Sequence, residues 1–270
     1  MTTTSLPRQA LKAASRTYDR VSRPAPGITV LIYHRVGAGG GGQMNLDPEV
    51  FERQIEWLTT NVRVVDLDTA VAETSGGGPT RPGVAVTFDD GTADWAEVVA
   101  PILARHRTPA TFYLTTGYPE GDFALPDGET AVSWAGLVEL VGTGYATIGS
   151  HTHSHRLLDR LEPAAIDDEL DRSIELIGEH LSVDALHFAY PKAVDPSPVA
   201  HNAVRARFRS AALSGTRANV AGGDPLRLQR SPVQAADSFD DFIRKALGGM
   251  GLEDRVRQSL NRVRYRGASS

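Results

Sequence analysis

Three of the eight histidines in this chain fall in one short stretch, Gly149-Ser150-His151-Thr152-His153-Ser154-His155. A lone histidine is usually structural. Three packed behind one predicted strand point to a metal site. The chain has no cysteine, so a transition metal must be held by His, Asp or Glu. His151 and His155 are spaced to converge on one ion, given a turn after the strand. Two imidazoles and a carboxylate leave positions open for water and substrate, as in a catalytic site.

The second cluster is Thr87-Phe88-Asp89-Asp90-Gly91. Successive side chains on a strand alternate, so adjacent carboxylates cannot point the same way. One can bind a metal while the other faces substrate. The plainer reading is a helix N-cap, since Asp90-Gly91-Thr92 precedes a helical stretch. A third cluster, Phe188-Ala189-Tyr190-Pro191-Lys192, taken alone is a strand stopped by a turn.

All three clusters follow predicted strands, at the ends where parallel α/β folds place their active sites. Ile28 to Tyr33 is an apolar run that reads as a buried strand, and Gly37 to Gly42 as a flexible loop. Asp47 and Pro48 open a helix that carries Phe51, Ile55 and Leu58 on one face. Val62–Val65 reads as a short strand, and Ser75–Pro82 as a Gly/Pro loop. Val84–Phe88 reads as a strand and Ala93–His106 as a helix. Ala110–Leu114 is a strand, Trp134–Val141 a helix, and Ala146–Gly149 a strand end. Pro163–His180 is a long amphipathic helix. Ala185–Tyr190, Ala211–Ser214 and Leu226–Ser231 are short strands, and Phe239–Leu247 is a last core helix. This alternation predicts a parallel sheet covered by helices; periodicity alone leaves open whether it closes into a barrel.

With 270 residues, 41% of them hydrophobic, the chain suits one α/β barrel. A net charge of −5, with basic residues lacking an aromatic stacking pattern, argues against nucleic-acid binding. Positive charge gathers at both ends. Arg8, Lys12, Arg16 and Arg20 form one stripe on a helix, with Leu11, Tyr18 and Val21 as a partial apolar face. Arg255, Arg257, Arg262, Arg264 and Arg266 crowd the other end. The expected organisation is a basic N-terminal extension (1–27), a catalytic domain (28–250) and a basic C-terminal tail (251–270). Such ends are expected to be solvated and partly frayed; contact with anionic lipid or a phosphate-bearing substrate is the sharper alternative. Residues 1–27 hold no apolar run resembling a signal peptide, and no stretch approaches a membrane span, so a cytoplasmic location is the expectation.

The pairing of Thr87-Phe88-Asp89-Asp90-Gly91 with His151-Thr152-x-x-His155 resembles the NodB-type polysaccharide deacetylases, carbohydrate esterase family four. Leu31-Ile32-Tyr33-His34-Arg35-Val36 and Ala110-Thr111-Phe112-Tyr113-Leu114 also resemble many members. The resemblance runs from about Ile28 to Leu247. It implies a distorted (β/α)7 barrel. It implies further that Asp89 is the catalytic base, that Asp90, His151 and His155 hold the metal, and that the Lys192 backbone N–H helps hold the oxyanion. Two positions depart from the family pattern. Ala189 stands where an arginine usually orients the base. Leu228-Gln229-Arg230 puts arginine where a histidine usually serves as general acid. The expectation is an exchange in which Arg230 reaches over to pair with Asp89; the plainer alternative is that Arg230 binds a surface carboxylate. The acid is then open, with His34 and His153 as candidates.

The activity this implies is hydrolysis of N-acetyl groups from an amino-sugar glycan or glycoside, with release of acetate. Zinc is the expected metal; a His2Asp set also accepts Co, Ni, Mn or Fe. Two other readings stand beside it. The altered motifs would suit a degenerate barrel that only binds glycan. Two histidines and a carboxylate also form the facial triad of non-haem iron oxygenases, which usually sits in a β-sandwich with its carboxylate close to the first histidine.

Overall fold

The computed structural model describes residues 6–22, 24–39, 42–76 and 81–264. Parts of the expected glycine loop, of the Ser75–Pro82 loop and of both basic ends, Arg266 among them, lie outside these residues.

The expected apolar runs become strands β1 (Ile28–Tyr33), β4 (Gly83–Asp90), β5 (Ala110–Leu114) and β6 (Ala146–Ser150). Between the first two lie the two-residue strands β2 (Arg35–Val36) and β3 (Asn45–Leu46), which pair with each other. Three short strands follow: β7 (His187–Ala189), β8 (Ser210–Ala212) and β9 (Arg230–Pro232). Seven strands form one sheet in the order β8-β7-β6-β5-β4-β1-β9, and every pair in it is parallel. The two ends of the sheet meet. Leu213 N–H donates to the Leu228 carbonyl and Gly215 N–H to the Arg230 carbonyl, each at 2.8 Å. These bonds nearly close the sheet into a seven-stranded (β/α) barrel.

Covering helices are α2 (Pro48–Asn61), α3 (Leu67–Ser75), α4 (Ala100–Arg105), α6 (Trp134–Gly142), α7 (Pro163–Leu181), α8 (Pro198–Arg205) and α9 (Phe239–Ala246); α5 (Gly117–Glu120) is a single turn. Asp47 caps α2 as expected, its side chain accepting from the Glu49 and Val50 amides. Strand alternation sorts the core into two layers. Leu31, Tyr33, Val86, Phe88 and Phe112 pack outward under the helices, with Phe88 and Phe112 stacked at 4.8 Å. Val30, Ala85, Tyr113, Ala189 and Ala212 face the barrel interior. Several interior residues are small, which leaves room for large polar groups.

Several expectations are corrected. Val62–Val65 is not a strand: only Val64 bridges, to Val84, because the segment drops directly into α3. The expected helix over Ala93–His106 is a π-helical turn, Trp95–Val99, running into α4. Leu226–Ser231 splits into a 3-10 turn at Pro225–Arg227 and β9. The described parts of both ends are packed, not frayed. Helix α1 (Leu6–Val21) packs on α10 (Gly251–Arg264) and on α9. Lys12 is only 3% exposed and ion-pairs with Asp237, Asp241 and Glu253, while Arg16 pairs with Asp241. Half of the expected basic stripe therefore points into the protein.

Candidate active site

Register aligns the chemistry at one end of the barrel. Asp90 pairs with Leu114, Leu114 with Ser150, and Ser150 with Phe188. Asp89 and Asp90, His151 and the Tyr190–Lys192 turn therefore leave neighbouring strands at one rim. The alternation of β4 turns Thr87 and Asp89 inward. Asp90 sits at φ +87°, a left-handed conformation costly for a non-glycine residue, and swings its carboxylate to the rim.

There the Asp90 Oδ1 lies 3.6 Å from His151 Nε2 and 3.4 Å from His155 Nε2. The ligand atoms of these three residues all fall within 4.8 Å of one another. Asp90 is thus not a helix cap. The ring of His151 is fixed from behind: its Nδ1 donates to the Ala189 carbonyl at 2.7 Å. A carbonyl only accepts, so Nδ1 carries the proton and Nε2 keeps its lone pair. The same Ala189 where the family resemblance leads one to expect arginine thus supplies a backbone acceptor. His155 reaches the cluster through a tight turn with Thr152 and His155 both at positive φ; His155 N–H donates to Thr152 Oγ1 at 2.9 Å.

Burial lowers the pKa of both imidazoles despite the carboxylates beside them, His155 to about 3. Burial works the other way on Asp90, but His34, His155, His151 and Lys192 outweigh it and hold this carboxyl at about 2. Neutral imidazoles beside an ionised carboxylate are the protonation states a divalent cation requires. The donor set therefore fits such an ion.

Asp89 lies one layer deeper. Arg230 Nη1 donates to Asp89 Oδ1 at 2.6 Å and Nη2 to Oδ2 at 2.8 Å. Arg230 is fully buried. It also donates to Thr87 Oγ1 and to the Leu213 carbonyl, each at 3.2 Å, and its guanidinium stands 5.0 Å from the Tyr113 ring. Burial would raise the Asp89 carboxyl, but Arg230 and then His151 outweigh it and hold it below its ordinary value. His151 Nε2 is 4.0 Å from the same carboxylate, so Asp89 borders the candidate ligand cluster.

His34 and Lys192 also reach this rim, since the charges of both act on Asp90. His34 follows β1, and its buried Nδ1 has no hydrogen-bond partner among the described residues. Lys192 sits at φ +58° in the turn after Pro191, with an exposed side chain. His153 is engaged elsewhere: Nδ1 lies 3.0 Å from Thr116 Oγ1 and Nε2 3.3 Å from Asp122.

Sequence reasoning missed the residues that brace these groups. Glu169 on α7 accepts from the backbone N–H groups of His153 (3.1 Å) and Ser154 (2.8 Å) and from the Ser154 hydroxyl, and so ties down the histidine loop. Asp94 accepts from Val36 N–H at 2.7 Å, Trp95 Nε1 donates to the His34 carbonyl at 3.2 Å, and Arg35 pairs with Glu129. Together these hold the His34–Val36 segment. Only the period of α7 hinted at Glu169, by placing it near the buried stripe.

Comparison with known proteins places the fold and the family. The family model described as Polysaccharide deacetylase matches residues 76–210, half of the chain. The Poly-beta-1,6-N-acetyl-D-glucosamine N-deacetylase of Staphylococcus aureus (strain MSSA476) is 26% identical over 66% of this chain and 64% of its own length. The matched stretch spans 58 to 64% of the curated relatives. Among solved structures, IcaB from Ammonifex degensii superposes with a TM-score of 0.71 at 23% identity, covering 83% of this chain and 97% of that one. The Streptococcus pyogenes deacetylase PplD, in complex with acetate, gives 0.70 at 20% identity over 83% and 99%. These neighbours share the fold described above. By motif, register and family match together, the chain belongs to the polysaccharide deacetylase family.

Proposed function

We propose that this protein is a metal-dependent hydrolase that removes N-acetyl groups from an amino-sugar glycan and releases acetate. The observation that carries the reading is an ionised, arginine-clamped Asp89 directly beside the convergent Asp90, His151 and His155 donors. The relative named for poly-beta-1,6-N-acetyl-D-glucosamine supports an N-acetylglucosamine polymer as the substrate class.

A divalent ion held by Asp90, His151 and His155, zinc being our choice, would polarise the acetamide carbonyl and the attacking water. Asp89 accepts the proton from that water. Arg230 keeps Asp89 ionised and aimed, as a positioning residue. The Lys192 backbone N–H donates to the oxyanion as the carbonyl carbon becomes tetrahedral. His34 gives a proton to the leaving amine. We prefer His34 to His153 because the buried Nδ1 of His34 has no partner among the described residues, whereas both ring nitrogens of His153 are engaged. A parallel barrel, with Asp90 far upstream of the histidines, weighs against an oxygenase. No helix among the described residues is long and apolar enough to cross a membrane.

The test is an acetate-release screen on N-acetylglucosamine oligomers, peptidoglycan fragments and acetylated glycosides, after reconstitution with Zn, Co, Ni, Mn or Fe. Metal-dependent acetate release from at least one glycan is expected. Binding without turnover across all metals and substrates would instead favour a glycan-binding barrel.

A further inference from the structure

The two terminal helices do more than cover the barrel. Between α1, α10 and the β8–β9 seam runs a groove of about 1000 Å³. It begins at the active-site rim. Ala193, Val194 and Asp195, which directly follow Lys192, line it, and so does Leu213, whose carbonyl accepts from Arg230. From there it runs to Pro24, Ala25 and Ala218 near the N-terminal end of β1.

The charges lining the groove are unequal in what they have left to bind. Its carboxylates are engaged within the protein. Asp19 accepts from Met250 N–H at 2.8 Å, Asp195 from Arg227 at 2.9 Å, and Asp254 from Arg257 and Gln258. Its arginines are not so engaged. Arg217 and Arg255 are exposed, line the groove, and have no carboxylate in ion-pairing range among the described residues. Arg255 donates to the Tyr18 hydroxyl at 3.3 Å and stands 5.4 Å from its ring, and Arg217 lines the same groove. A guanidinium fork beside a phenol hydroxyl, with a second fork in the same groove, offers donors suited to the oxygens of a carboxylate or a phosphate. A concave groove suits a chain segment better than a flat surface.

We infer that this groove binds an oxyanion, carboxylate or phosphate, carried by the glycan whose N-acetyl group reacts at Asp90. The inference rests on the deacetylase reading for the identity of the glycan, so its test reads binding rather than turnover.

The test compares wild type with Arg217→Ser/Arg255→Ser by titration calorimetry. The probes are a neutral N-acetylglucosamine tetramer, a glucuronate-containing N-acetylglucosamine hexasaccharide and a phosphodiester-linked N-acetylglucosamine oligomer. Wild type is expected to bind one of the anionic probes at least tenfold more tightly than the tetramer. The double variant, with unchanged circular dichroism, should lose that preference and bind the tetramer as before. Equal affinity of wild type for all three probes, or a preference kept by the variant, overturns the proposal. Two further arms separate the sources of the anion. Inorganic phosphate binding as tightly as the anionic oligomers would mean a free-ion site. Arginine-dependent sedimentation with phosphatidylcholine/phosphatidylglycerol vesicles, with no glycan preference, would mean a lipid headgroup. Either result overturns the glycan assignment. Absence of acetate release with the binding preference intact would refute the proposed activity and leave the groove assignment standing.

Discussion

The Arg230 guanidinium donates to both oxygens of the Asp89 carboxylate, at 2.6 and 2.8 Å, across 141 positions of sequence. Both partners are buried, so removing one leaves the other charge uncompensated in the barrel interior. Arg230→Ala is predicted to destabilise the fold by about 3–5 kcal/mol and to abolish acetate release. Arg230→Lys keeps a charge but not the two-point clamp; it should recover part of the stability and little of the turnover. Thermal unfolding alongside acetate release checks both. An alanine variant of unchanged stability would contradict the clamp.

The metal assignment separates neighbouring histidines. His151→Ala, His155→Ala and Asp90→Asn should each purify with little bound metal, whereas His153→Ala should match wild type. Glu169→Gln, which loosens the histidine loop without touching a ligand, should weaken metal affinity roughly 10–100-fold, as loss of an outer-sphere support typically does. Metal analysis after dialysis reads all five.

Lys192 is assigned through its backbone, not its ammonium. Its φ of +58° is one that glycine adopts without cost. Lys192→Gly is therefore expected to fold at least as well and to retain kcat within a few-fold. A large loss of kcat with KM unchanged would shift the role to the side chain.

The terminal helices should set the pH limits of stability. Burial raises the Asp241 carboxyl, but Arg16, Ser238 and Lys12 outweigh it and leave it lowered. A depressed carboxyl contributes stability that is present above its unfolded value of ~3.9 and is lost as pH falls through the folded value. Burial lowers the Lys12 ammonium, but Asp237, Glu253 and Asp241 leave it raised. That contribution is present below an unfolded value of ~10.4 and is lost as pH rises through the folded value. Arg16→Ala should flatten the acid side of the stability profile and Lys12→Met the alkaline side. Denaturant midpoints across pH measure both slopes.

The strands β1, β4 and β5 were legible because each carries an apolar run buried on both faces; β6, Ala146–Ser150, is less apolar and begins half-buried. The barrel's closure was not legible. β7, β8 and β9 overlap the segments that read as short strands, but at three residues each they carry no period that shows which strands they pair with. The burial of β9 depends on Asp89 waiting inside. Helices α3 and α8 were missed, although α6 and α9 of like length were not. Lys12 looked solvated because its helix shows a basic stripe, while its partners Asp237, Asp241 and Glu253 lie more than 200 residues on. In the site, the type and spacing of Asp90, His151 and His155 marked them as a candidate ligand set. The positive φ angles that aim Asp90 and His155 were not visible, nor were Glu169 and Asp94, whose role is set by which loop they meet.

The most direct test of the central claim is acetate release by Asp89→Asn, with bound metal measured on the same sample. The account predicts wild-type metal content and a loss of turnover of at least about 100-fold, the scale of general-base catalysis. Full turnover in Asp89→Asn would contradict it.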